Sequence, residues 1–286
     1  MLLRAHHWIK NALVVLPLFF SGKLFSRDGL FFAVCGFFLF SLLASAVYLF
    51  NDIQDIEKDR NHPEKRKRPL PAGVFEIRTA WGLFFCLTGV VVAGNLAISR
   101  SFLPILVLLI YFVLNIAYSK GLKNVPVIDF SILASGFVLR ILYGGALCDI
   151  RISHWLFLCV LSAALFMGIG KRRNELRSVG AGGATREVLK LYSNSFLDKN
   201  MYLAATLAIV FYSLWSVSPA FPDNRMVCTV PLALLLFFRY SYQIESENSS
   251  GDPVNVFFGD RVLQLLFGLF AVSLVLLFLT GARFVK

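Results

Sequence analysis

The sequence predicts an all-α membrane protein, a bundle of nine transmembrane helices folded as one domain over residues 1–286. Three observations carry this expectation. The 286 residues are 57% hydrophobic with 29 Phe, and the mean hydropathy of +0.70 is too high for a soluble domain of this length. Apolar windows near the span length recur along the whole chain, at 9–26, 30–50, 77–97, 102–118, 127–147, 153–170, 200–217, 226–240 and 262–281. The polar connections between them are too short to fold separately.

Each element has a local reason. The first window is interrupted by Pro17 and Gly22 and lacks a signal-cleavage pattern. The prolines after the second window, Pro63, Pro69 and Pro71, keep the basic loop from continuing the preceding helix. Gly180, Gly182 and Gly183 make a flexible polar linker rather than a phosphate-binding loop. Lys and Arg set the orientation. With the N-terminus cytoplasmic, the inner segments hold 20 of them and the outer segments seven, among them Lys23, Arg283 and Lys286. This asymmetry places the N-terminus inside and the C-terminus outside, and the net charge of +11 then belongs mainly to one membrane face.

The five cysteines have no metal-type spacing and read as small apolar residues. The four histidines form no ligand pair. The informative anomaly is the run Asn51, Asp52, Asp55 and Asp59 at the inner end of an apolar span, because an ionised carboxylate there is costly unless it is paired or faces water. On a continuous helix the three aspartates fall within an arc of roughly 60°. Carboxylates so spaced, beside an amide, suit Mg²⁺, a hard cation often shared with substrate phosphates, and the expected ligand is a diphosphate.

Every inner span end also joins cations to polar groups: Trp8, Lys10 and Asn11; Asn51 to Asp59; Tyr118, Ser119, Lys120, Lys123 and Asp129; Lys171 to Glu175. Positive-inside topology alone explains basic loops. If the spans pack as a bundle, however, these ends converge on one cytoplasm-facing central cavity. Arg140, in mid-span, either pairs with Asp129 three turns away or faces that cavity, and the second is expected. An ion-conducting transporter would show internal repeats or paired broken helices, and the chain has no convincing repeat.

These residues resemble the UbiA superfamily of intramembrane transferases, a nine-helix bundle with two aspartate-rich motifs and Mg²⁺-diphosphate substrates. The first motif, Asn-Asp-x-x-Asp-x-x-x-Asp, is matched in full by Asn51, Asp52, Asp55 and Asp59; the second is reduced to Asp129. That reduction argues against the alternative activity, prenyl transfer from a prenyl diphosphate to an aromatic acceptor. The chain is more similar to one branch, the decaprenyl-phosphate phosphoribosyltransferases. The likeness runs through Arg4-x-x-x-Trp8-Ile9-Lys10-Asn11, through Asn51 to Arg60 and on to His62-Pro63-x-Lys65-Arg66-x-Arg68-Pro69. It continues through Tyr118-Ser119-x-x-Leu122-Lys123-x-x-Pro126-x-x-Asp129, Phe137-x-x-Arg140, Gly170-Lys171-Arg172-Arg173-x-Glu175, Asp252-Pro253 and Asp260-Arg261.

The resemblance implies a bacterial inner-membrane enzyme, its active site facing the cytoplasm, that moves 5-phosphoribose from phosphoribosyl diphosphate to a polyprenyl phosphate and releases pyrophosphate. Asn51, Asp52, Asp55 and Asp59 would hold Mg²⁺, with Asp52, Asp55, Asp59 and Asp129 catalytic. Lys10, Asn11, Asn51, Lys65, Arg66, Arg68, Tyr118, Lys120, Lys123, Arg140, Lys171, Arg172, Arg173 and Glu175 would contact substrate. The implied partners are the two substrates and membrane lipids, not nucleic acid, and this branch also suggests a homo-oligomer.

Overall fold

A computed structural model describes residues 3–21, 26–61, 65–178, 187–219, 221, 223–246 and 251–281, with the side chains of Lys58, Lys65, Ser178 and Gly281 excepted. His62, Pro63, the side chain of Lys65, the linker glycines Gly180, Gly182 and Gly183, and Lys23, Arg283 and Lys286 therefore lie outside the described residues. Eight long helices dominate: α1 (Arg27–Gln54), α2 (Ile77–Ile98), α3 (Leu103–Lys120), α4 (Ile128–Leu147), α5 (His154–Ser178), α6 (Asn194–Ser216), α7 (Val230–Glu245) and α8 (Arg261–Gly281). Among the described residues, seven helices are long and apolar enough to cross a membrane. The exception among the eight is α6. It has the length, but polar residues such as Asp198, Lys199 and Asn200 occupy its first turns.

The first expected span is not one α-helix. Residues Ala5–Val14 form a 3₁₀-helix, followed by the short α-helix Leu16–Phe20. Ten residues is long for 3₁₀ geometry, whose hydrogen bonds are poorer than those of an α-helix, so tertiary partners must hold it. They come from α1. Trp8 Nε1 donates to Ser45 Oγ at 3.0 Å, Asn11 Nδ2 donates to Ser41 Oγ at 2.9 Å, and Ser45 Oγ donates to the Leu3 carbonyl at 2.8 Å. Ser41 and Ser45 stand four residues apart and so share one helix face. That face becomes a polar seam in an otherwise apolar helix.

The helices form because a chain in hydrocarbon must satisfy every backbone polar group internally. Their outer faces keep apolar side chains such as Phe31, Phe85, Leu109, Leu265 and Leu276, as lipid-facing surfaces do. The chain separates into two compact units, Met1–Val125 with Leu139–Arg151, and Pro126–Val138 with Ile152–Lys286. Helix α4 contributes its second half to the first unit and its first half to the second.

In the first unit α1 packs on α2 and α3 around Phe40, Leu43, Val47, Val91, Leu108, Tyr111 and Tyr143. Buried Asn95 of α2 accepts a hydrogen bond from the Tyr143 hydroxyl at 2.8 Å, tying α2 to α4. Arg140 belongs to this core. It is 6% exposed, donates through Nε to Asn11 Oδ1 at 2.7 Å, and lies over the rings of Phe40 and Tyr111 at 4.9 and 5.4 Å. Expected to face a cavity, the guanidinium in this conformation is taken by two aromatic faces and a buried amide, a cation–π arrangement worth ~0.5–2 kcal/mol. Asn11, expected at the substrate, is likewise 1% exposed and bridges Ser41 to Arg140.

The second unit is built on the long α5–α6 pair, with Phe130, Phe166, Ile169, Leu197, Met201 and Ile244 at its centre.

Gly144 sits where α4 meets the N-terminal segment. A Cβ there would stand 1.9 Å from the Val14 carbonyl oxygen, whereas one on Gly82 of α2 would meet nothing within 4 Å. Gly144→Ala should lower unfolding free energy by ~1–3 kcal/mol or more, as overpacking against backbone does. Gly82→Ala should be neutral or stabilising, and the comparison is read from denaturant titrations in micelles.

Candidate active site

Helix α1 ends at Gln54, and a short helix, Ile56–Arg60, follows after a break at Asp55 (φ −96°, ψ 10°). Asp52 and Asp59, 6% and 2% exposed, share one cation: Arg68 Nη1 lies 3.2 Å from Asp52 Oδ1 and 2.6 Å from Asp59 Oδ2. Arg4 Nη2 also pairs with Asp52 Oδ1. Asp55 instead pairs with Lys123 Nζ at 3.3 Å, and Asn51 Oδ1 accepts from Ser119 Oγ. The sequence places the three carboxylates on one arc of a continuous helix; in the structure two converge and the third looks toward the loop after α3.

Among the described residues, no three His, Cys, Asp or Glu stand close enough to hold a metal. Two carboxylates do, however, suit a cation that takes its remaining ligands from a substrate, since Mg²⁺ is commonly bound through one or two carboxylates plus phosphates. The donor set is all oxygen, and two of those oxygens already lie within 3.2 Å of a single positive nitrogen. The residues therefore fit a divalent ion. Half-buried Lys10 and Tyr118 and exposed Arg66 and Lys120 belong to the same unit, on the N-terminal segment, the Lys65–Lys67 turn and the end of α3.

The second unit gathers the other motif residues, but into internal pairs. Asp129, with 0% exposure, accepts from Arg172 Nε at 2.5 Å on one oxygen and from the Tyr192 hydroxyl at 2.6 Å on the other. Arg172 is fully buried and also donates to Glu175 at 2.7 Å; Arg173, 3% exposed, pairs with Asp198 and Glu245. Lys171 Nζ meets Asp252 at 3.0 Å. In this conformation the guanidinium groups of Arg172 and Arg173, both expected at the substrate, have almost no exposed surface and are committed to acids of their own unit. Asp129 is equally sealed, with both carboxylate oxygens engaged.

Two residues that pattern reading did not select complete this node. Val127 has φ +70°, a conformation rare for a β-branched residue, and its N–H donates to the Tyr192 hydroxyl at 2.5 Å. Tyr192 thus links a strained backbone position to Asp129. Burial and its hydrogen bond to Asp129 both raise the Tyr192 pKa, so it stays a neutral donor. Only φ and the fold reveal the pair; no spacing rule joins residues 127 and 192.

The late motif blocks have structural work as well. Asp252 caps the helix Pro253–Gly259 by accepting from Val254 N–H at 3.1 Å. Gly251 has φ +66°, and a Cβ there would meet Lys171 Cα at 2.9 Å, so glycine is required beside the Lys171 turn. Asp260 accepts from Arg239 Nε at 2.6 Å, from Gln243 at 2.8 Å and from Val262 N–H at 2.9 Å, which draws its pKa down to about 2, the Arg239 bond leading.

Three outcomes follow for this unit. Arg172→Ala strands a buried carboxylate and should cost ~3–5 kcal/mol; Tyr192→Phe, which leaves one acceptor and one N–H unpaired, should cost ~1–3 kcal/mol. Both are measured by denaturant unfolding in micelles. Because the folded pKa of Asp260 lies below its ordinary 3.8, its stabilisation is present above pH 3.8 and is lost as pH falls toward 2. Acid titration of unfolding should show that loss in the wild type, and Asp260→Asn should flatten it.

Comparisons with known proteins identify the family. Residues 12–260 match the model of the UbiA prenyltransferase family. A decaprenyl-phosphate phosphoribosyltransferase of Mycolicibacterium smegmatis is 36% identical over 92% of this chain and 87% of its own length. The protein of that name from Corynebacterium glutamicum is 32% identical over 92% and 81%. Among solved structures, a UbiA homolog from Archaeoglobus fulgidus bound to GPP and Mg²⁺ superposes with a TM-score of 0.72 at 17% identity, covering 97% of this chain and 98% of that one. A family match over most of the chain, on a fold that sets two buried aspartates around one positive centre, means that this protein belongs to the UbiA prenyltransferase family.

Proposed function

We propose that the whole chain is one transferase domain that moves 5-phosphoribose from phosphoribosyl diphosphate to a polyprenyl phosphate, releasing pyrophosphate. The observation that carries this reading is the two-carboxylate cation site of Asp52 and Asp59, set in a unit rich in further Lys and Arg. The names of the relatives, alike over nine-tenths of the chain, support the choice of donor and acceptor. The fold is read as nine spans, N-terminus inside, with the acidic site open to the cytoplasm of a bacterium.

The chemistry needs a leaving diphosphate, an anomeric carbon and an anionic oxygen. Asp52 and Asp59 would hold Mg²⁺ against the donor diphosphate, with Asn51 and Asp55 at its margin. Bound there, Mg²⁺ would offset the charge that builds on the leaving pyrophosphate. Lys10, Arg66, Lys120 and Lys123 would bind the 5-phosphate of the donor and the phosphate of the lipid, and orient both. An oxygen of the lipid phosphate forms the new bond to the anomeric carbon as the bond from that carbon to pyrophosphate breaks. That oxygen is already anionic, so the chain need supply no strong general base.

The Asp129–Tyr192–Arg172 node would fix the start of α4 rather than meet substrate. Lys65 belongs to the proposed phosphate-binding set by sequence alone.

Purified protein given Mg²⁺, labelled phosphoribosyl diphosphate and polyprenyl phosphate should yield a labelled lipid. Asp52→Asn and Asp55→Ala should each reduce the rate by about 10²-fold or more, the scale on which losing a charge-stabilising group acts. Transfer of prenyl groups from a prenyl diphosphate to an aromatic acceptor, with none of phosphoribose, would sink the reading.

A further inference from the structure

The carboxylates that make the cation site are not waiting bare. Asp52 and Asp59 are buried, and two such acids cannot both stay ionised without positive charge beside them. Arg68 supplies it to both, and Arg4 adds a second guanidinium on Asp52. Both arginine side chains are more exposed than the acids they cover, 21% for Arg4 and 34% for Arg68 against 8% and 3% for Asp52 and Asp59. The cations therefore stand on the solvent side of the site.

The backbone gives independent reason to regard Arg4 as placed for this purpose. Arg4 has φ 46° and ψ 46°, left-handed geometry that costs a residue with a Cβ about 1–2 kcal/mol. Its guanidinium lies 5.1 Å over the ring of Tyr48, one turn before Asp52 on α1. Strain of this kind persists where the surroundings over-determine it, and functional sites are where it gathers. Here the surroundings are an aromatic face and a carboxylate on a single helix.

Among the described residues, a bare divalent ion entering this site would meet two carboxylates and two guanidinium groups, and would leave these groups with an excess of two positive charges. Metal that arrives with a diphosphate brings the missing negative charge. We propose that Arg4 and Arg68 are resident counter-ions that close the metal site to a bare divalent cation and open it to a metal–diphosphate complex. The diphosphate oxygens then take the guanidinium groups that the metal displaces. This rests on the reading of Asp52 and Asp59 as metal ligands. It makes Arg4 and Arg68 donor-binding residues in the loaded site, and it couples metal to diphosphate.

The test uses full-length protein in lipid nanodiscs and reads protein-bound Mn²⁺ by electron paramagnetic resonance, with no turnover. One titration uses free Mn²⁺ and the other preformed Mn²⁺–pyrophosphate. The wild type should bind the complex at least about tenfold more tightly than the bare ion, within the usual range of coupling between two ligands. Arg4→Gln and Arg68→Gln should each narrow the gap from both sides, binding bare Mn²⁺ better and the complex worse. Arg68→Lys, which keeps a cation in place and controls for folding, should retain most of it. Equal affinities in the wild type, or glutamine variants with an unchanged ratio, would overturn the coupling while leaving the metal site standing. Mn²⁺ binding that survives Asp52→Asn with Asp59→Asn would instead overturn the metal site, and the coupling with it.

Discussion

The constraint on which this structure turns is that a carboxylate inside an apolar bundle must find a cation. Asp52 and Asp59 share Arg68, Asp129 takes Arg172, and Asp260 takes Arg239. Leaving any of these acids buried alone would cost several kcal/mol. Asp129 and Arg172 stand 43 residues apart and Asp260 and Arg239 stand 21 apart, so charge matching there does what apolar contact cannot: against lipid, one hydrophobic face offers little advantage over another. The ion pairs and the Ser41–Ser45 seam say which helix goes beside which.

This changes the meaning of the motif blocks. The opening block reads like a binding sequence, yet Trp8 and Asn11 bind α1, and Asn11 passes the connection on to Arg140. Lys171, Arg172 and Arg173 read like a phosphate cradle, yet each is committed to an acid of its own unit. Motif-like residues can thus serve to assemble the scaffold. The acids at the end of α1 differ from these in being paired with cations that are themselves partly exposed, Arg4, Arg68 and Lys123.

Two backbone strains mark where the scaffold is over-determined. Arg4 is held left-handed beside Asp52, and Val127 is held left-handed beside Asp129. In both, a side-chain hydrogen bond or ion pair runs from the strained segment to an acid of the aspartate motifs or to its partner. The acids are positioned by their surroundings as firmly as they position them.

The sequence by itself determined the solvent of this protein, its helical class, most of its spans, the acidic run and the chemistry that run favours. These follow from composition and local periodicity, which act within a few residues. Asp52 and Asp59 were legible because three acids beside an apolar span are costly wherever they point. Only the tertiary structure decided that Asp55 turns away, that Arg140 lies over two neighbouring aromatic rings, that Arg172 and Arg173 are sealed, and that Tyr192 joins Val127 to Asp129. Each depends on which segment arrives opposite. A lysine or arginine near a span end looks the same in sequence whether it faces a phosphate or a buried carboxylate. The partner that packing brings within 3 Å makes the difference.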